Sequence, residues 1–141
     1  MNYLLDTCVL SEFTRRQPEE RVVRWLAQAD EDTLYLSVLS LGEIQHGIER
    51  LDDSPRKEVL RAWLVDELIS RFKGRILLLD VPTMIGWGEL VARLERQGRK
   101  MPAMDSLIAA IALTHQLVLV TRNTADFLHC GVELFNPWEI P

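Results

Sequence analysis

Residues 2–6 read Asn2-Tyr3-Leu4-Leu5-Asp6, a short apolar run closed by an acid. So placed, it is most economically a central strand, and helical sequence follows it. Pro18 with Glu19 and Glu20 opens a segment in which Val22, Val23, Leu26 and Ala29 return at helical spacing, which predicts a helix over 18–29. Leu34-Tyr35-Leu36-Ser37 reads as a brief strand. Ser40-Leu41-Gly42-Glu43 then matches a capping box entering a helix that runs to about Leu51. Pro55 to Phe72 carries Val59, Leu60, Trp63, Leu64 and Leu68 on one face, and Ile76-Leu77-Leu78-Leu79, ending at Asp80, predicts a buried strand by length and composition. Pro82 starts a helix ending near Gly98, and Pro102-Ala103-Met104-Asp105 begins an Ala- and Ile-rich helix through about His115. Leu117–Thr121 and Val132–Phe135 complete the strands.

Strands that alternate with one or two helices imply a mostly parallel sheet, of about five strands here, covered on both faces because right-handed crossovers place the helices there. The expected class is α/β with three α/β/α layers. No repeat, low-complexity tract or Gly/Ser linker interrupts the chain, so residues 1–141 are read as a single domain. In open sheets of this kind the functional crevice lies beyond the carboxyl ends of the strands.

Composition narrows the partners. A chain of 141 residues, 48% of them hydrophobic, holds a core without staples. Its 16 Lys+Arg against 21 Asp+Glu leave a net charge of −5, which argues against coating nucleic acid or an anionic membrane by bulk charge and leaves a local site open. Cys8 and Cys130 lack the C-x-x-C spacing of zinc or redox motifs, which favours a reducing compartment and a cytoplasmic location. The start has no basic n-region and reads as mature sequence; no apolar run approaches the ~20 residues of a membrane span.

The chemistry is concentrated in acids at element ends. Asp6 follows the first strand, Glu43 lies in the turn after the second, Asp105 stands in the first turn of the Ala-rich helix, and Asn123 and Asp126 follow Val118–Thr121. Carboxylates gathered at one sheet edge repel one another unless a cation relieves them, and a hard divalent ion fits best. Mg²⁺ or Mn²⁺ takes oxygen ligands, keeps several waters and uses one or two carboxylates plus phosphate oxygens. Such an ion lowers the pKa of a bound water and stabilises charge on phosphorus oxygens, which suits phosphodiester hydrolysis. Each acid also has an ordinary role open to it. Glu43 can be the return partner of Ser40 in the capping box, Asp105 can complement its helix dipole, and Asp6 can cap the next turn. Asp80 is assigned to the start of the Pro82 helix.

Five motifs stand in a specific order: Leu4-Leu5-Asp6-Thr7; Ser40-Leu41-Gly42-Glu43-Ile44 with Gly47; Asp105-Ser106-Leu107-Ile108-Ala109-Ala110; Val120-Thr121-Arg122-Asn123 with Asp126-Phe127; and Phe135-Asn136-Pro137-Trp138. Over nearly the whole chain the sequence thereby resembles the PIN-domain ribonucleases, specifically the VapC-type toxins of bacterial toxin–antitoxin pairs and their FitB-like branch. The resemblance implies that Asp6 and Asp105 are the principal Mg²⁺ ligands, with Glu43 completing the site directly or through water. Family members often carry an acid where this chain has Asn123, so that amide, or Asp126, would serve as the fourth group. Cys8 stands where the family reads Asn or Ser after Asp-Thr. Thr7 and Thr121 lie beside the ligands and could orient a carboxylate or a water.

The resemblance further implies an endoribonuclease that cuts structured RNA such as tRNA by water attack, leaving a 5′-phosphate and a 3′-hydroxyl. It implies a homodimer bound by a VapB-type antitoxin whose C-terminal segment covers the acidic groove. The helices over 18–29 and 40–72 offer apolar faces for that segment. The basic groups available to RNA phosphates are Arg15-Arg16, then Arg71, Lys73 and Arg75, then Arg93, Arg96, Arg99 and Lys100. His46, His115 and His129 show no ligand spacing. A PIN fold that has lost turnover and acts as an interaction module is the alternative reading. A phosphatase of another α/β type would want an acid two residues after Asp6, where Cys8 stands.

Overall fold

The computed structural model describes residues Met1–Pro141. Its strands are β1 (Tyr3–Leu5), β2 (Leu34–Ser37), β3 (Ile76–Leu77), β4 (Val118–Val120) and β5 (Leu134–Phe135), paired in parallel throughout in the order β3-β2-β1-β4-β5. The opening apolar run is the central strand, as its sequence predicts. The chain first walks outward through β2 to β3, then returns to lay β4 on the other side of β1. That reversal is a topological switch point, the place where an open parallel sheet leaves a crevice at its carboxyl edge.

Alternation along the strands divides the core in two. Leu5 and Val120 face one layer, where they pack with Val9, Val22, Ile44 and Leu64; Leu4 and Leu119 face the other, with Leu90, Leu94, Ile108 and Ile111. The first layer consists of α1 (Thr7–Ser11), α2 (Glu20–Gln28), α3 (Val38–Glu49), α4 (Pro55–Ala62) and α5 (Ile69–Arg71); the second of α6 (Val81–Arg96) and α7 (Ala103–Thr114). Trp25 of α2 clamps its layer to the sheet, edge-on to Tyr3 at 5.2 Å and against Phe135 at 5.1 Å. Three α/β/α layers result. No helix is long and apolar enough to cross a membrane.

Three sequence expectations are corrected. Helix α3 begins at Val38, and its N-cap is Ser37, whose hydroxyl accepts from the Ser40 amide. Ser40 is therefore inside the first turn, and Glu43 is no capping partner. Second, the apolar run 76–79 is a strand only over Ile76–Leu77; Leu78 is 60% exposed and Val81 76%. Strand β3 is an edge strand paired only with β2, and the chain leaves it early to reach Asp80, which caps α6 by accepting from the Thr83 amide. Third, the helix expected over 55–72 is continuous but passes through a π-helical stretch, Trp63–Leu68, between α4 and α5, and Val59 points to solvent rather than joining Leu64 and Leu68 inside.

Candidate active site

Register builds the site. Because Tyr3 pairs with Val118 and Leu5 with Val120, Asp6 comes to lie opposite Thr121, and its amide donates to the Val120 carbonyl at 3.0 Å. Asp6 is nearly buried and is the N-cap of α1: its Oδ1 accepts from the Thr7 amide at 2.8 Å, and its Oδ2 accepts from the Thr121 hydroxyl, also at 2.8 Å. On the other side of β1, strand β2 delivers the chain into α3, where Glu43 sits half-buried on the second turn. The Thr7 hydroxyl bridges Glu43 Oε1 at 2.7 Å and Ser40 Oγ at 2.9 Å. Thr7 and Thr121 thus each hold a carboxylate by a donated hydrogen bond. Ser40 is a site residue that sequence reading assigned to a cap; its spacing of three from Glu43, one face of a helix, was the available signal.

Asp105 enters from the first turn of α7, half-buried and without a hydrogen-bond donor from the protein. Its carboxyl is held above the ordinary carboxylate range by burial first, then by repulsion from Asp126, Asp6 and Glu43. The charges of three other carboxylates therefore reach Asp105 at the carboxyl edge of β1 and β4. Asp126 projects from the 3₁₀ turn Thr124–Phe127. Asn123, exposed, precedes that turn and bonds the Thr121 hydroxyl oxygen through its amide at 3.1 Å, while its side chain makes no hydrogen bond. Of these two positions, Asp126 supplies the charge that Asp105 feels.

No three Asp, Glu, His or Cys side chains stand close enough to hold a metal ion as a closed protein cage. The donors are hard oxygens, which fit a cation that keeps waters and takes one or two carboxylates. Cys8 Sγ lies 3.9 Å from Asp6 Oδ2 and 3.7 Å from Thr121 Oγ1. Burial, then the Asp6 charge, pushes this thiol above its usual value, so it stays protonated and unreactive.

A PIN domain profile matches residues 3–131. The chain belongs to the PIN-domain family. Toxin FitB of Neisseria gonorrhoeae is 38% identical over 96% of this chain and 97% of its own length, and VapC ribonuclease Y4jK of Sinorhizobium fredii is 30% identical over 96% and 97%. The structure of FitAB bound to an IR36 DNA fragment contains a chain that superposes on this PIN domain with a TM-score of 0.92 at 35% identity, covering 99% of this chain and 97% of the other. The profile spans Asp6, Glu43, Asp105, Asn123 and Asp126 and stops short of the closing Phe135–Trp138 motif.

The raised Asp105 carboxyl gives a stability signature. A carboxylate whose pKa rises on folding opposes folding wherever it is ionised; the opposition is absent below its unfolded pKa of about 4 and grows as pH rises through the elevated value. With divalent ions chelated, Asp105→Asn is expected to raise the melting temperature at about pH 7 relative to wild type, and to leave it unchanged at about pH 3. An equal shift at both pH values would show that burial and the neighbouring acids do not raise the Asp105 carboxyl as described.

Proposed function

We propose that this PIN domain is the toxin of a type II toxin–antitoxin pair and acts as a metal-dependent endoribonuclease. The observation that carries the reading is the meeting of Asp6, Glu43, Asp105 and Asp126, from four separate segments, in one electrostatic neighbourhood at the sheet's switch point. Relatives named as a toxin and as a ribonuclease, matched over nearly their full lengths, support it.

In this reading Asp6 and Asp105 would hold a divalent ion, Mg²⁺ or Mn²⁺, with Glu43 joining through water and Asp126, rather than Asn123, as the fourth acid. The ion supplies positive charge that offsets carboxylate repulsion and stabilises the charge developing on phosphate oxygens. The protein's part is positional. Thr121 and the Thr7 amide aim the two oxygens of Asp6, and the Thr7 hydroxyl donates to Glu43 and fixes its direction. Glu43 and Asp126 are the acceptors available for a proton from the attacking water. Water adds to phosphorus, the bond to the 3′ oxygen breaks, and a 5′-phosphate and 3′-hydroxyl remain. The RNA is structured, tRNA being the leading class.

Two surfaces suit protein partners. A groove of about 200 Å³, lined by Ser11, Ile44, Leu60 and Trp63, ends at Thr7 and Glu43. It fits an antitoxin's C-terminal segment, with a basic side chain set against the carboxylates. Leu78, Val81 and Ile85, 60%, 76% and 62% exposed, form an apolar patch where β3 runs into α6. That patch fits a second copy of the chain as a homodimer. Val81→Asp combined with Ile85→Asp is expected to convert the dimer to a monomer in sedimentation; a dimer that survives both charges would place the contact elsewhere.

Antitoxin-free protein with Mg²⁺ or Mn²⁺ is expected to cleave total RNA, with Asp6→Asn and Asp105→Asn each slowing cleavage by about 10²-fold or more. Wild type and both variants leaving the same RNA pattern would instead favour a PIN fold that works only by binding its partner.

A further inference from the structure

An acidic centre repels the polymer it cuts, so the phosphates beside the scissile one need cations. Several of the basic side chains are engaged within the protein. Arg15 pairs with Glu12 and Arg71 with Glu31. Arg75 donates to the carbonyls of Glu31, Leu34 and Arg71, and Arg93 to that of Cys130. Arg99 and Lys100 form no ion pair and donate no side-chain hydrogen bond to the protein; both are exposed.

They are nonetheless held in place. Helix α6 ends in a Schellman turn: the Gly98 amide bonds the Glu95 carbonyl and the Arg99 amide the Leu94 carbonyl, each at 2.9 Å, with Gly98 at φ 71°. Pro102, the N-cap of α7, anchors the other end of this short connection. The connection borders a cleft of about 400 Å³ whose lining includes Arg99, Lys100, Met101, Pro102, Asp126 and His129. The cleft therefore opens onto the acidic centre through a residue common to both.

A ligand that fits carries an anion at one end, an apolar flat group beside it, and a continuation into the four acids. Single-stranded RNA has this pattern, a phosphate and an unstacked base at each step. We propose that this cleft is the subsite for the nucleotide next to the scissile phosphate, Arg99 and Lys100 gripping its phosphate and the Met101–Pro102 wall taking its base. The assignment rests on the ribonuclease reading above and adds to it a place where the strand is held.

The test separates the two. Antitoxin-free protein is titrated into a fluorescent single-stranded RNA oligonucleotide with divalent ions chelated, so that binding is read without cleavage, over a series of salt concentrations. Arg99→Gln combined with Lys100→Gln is compared with Lys73→Gln, a cation just before β3 at the amino edge of the sheet. The double variant is expected to weaken binding roughly tenfold and to flatten the slope of log K against log salt by about 1.4, two contacts of a single strand. With Mg²⁺ restored, its KM rises with kcat within about twofold, as for lost uniform binding. If the double variant matches Lys73→Gln in affinity and salt slope, the subsite is wrong even where RNA is cut. If the double variant weakens binding while wild type leaves the oligonucleotide intact with Mg²⁺, the cleft stands only as an RNA-binding site, and both the ribonuclease reading and the place beside a scissile phosphate fall.

Discussion

The parallel pairing of β1 with β4, Tyr3 to Val118 through Leu5 to Val120, brings Asp6 beside Thr121 across more than a hundred residues of chain. A slip of one residue would turn Leu5 and Val120 from one core to the other and aim Asp6 away from the crevice. Register is thus protected by the same apolar alternation that builds the two core layers. The hydroxyls of Thr7 and Thr121 convert that register into fixed carboxylate directions. Hydrogen bonds to charged groups of this kind contribute roughly 1.5–3 kcal/mol each, enough to hold an acid at a geometry that repulsion disfavours.

That repulsion is the other half of the design. Asp6 and Glu43 receive donors from the protein, whereas Asp105 receives none and bears the field of its neighbours. A fold optimised for stability alone would replace or pair it. One carboxylate left without a donor at the N-terminal turn of a helix is under strain that a bound cation would relieve. The open ring, with no closed cage of three ligands, is consistent with a metal whose remaining positions belong to water and phosphate.

Much of this could be read before the structure. The central strand closed by Asp6, strand β2 and the capping role of Asp80 came from local pattern, because an apolar run and a proline two residues past an acid are short-range signals. Family resemblance pointed to the same acids. What sequence left open was long-range. Ser40 and Glu43 matched a capping box, and only the position of α3 against Thr7 shows that Ser37 caps the helix while Ser40 and Glu43 share one hydroxyl. Leu78 and Leu79 looked like core by composition, since an edge strand and a central one have the same apolar content and differ only in their neighbours. Arg71 and Arg75 looked available to RNA until Glu31, on a distant turn, was seen to engage both.

Crystals of the antitoxin-free chain soaked in Mn²⁺ and measured for anomalous scattering test the central claim most directly. The account predicts a single strong peak within bonding distance of Asp6 and Asp105 carboxylate oxygens at the carboxyl edge of β1 and β4. No peak there at saturating Mn²⁺, or one seated instead on histidine or cysteine side chains elsewhere, would contradict it.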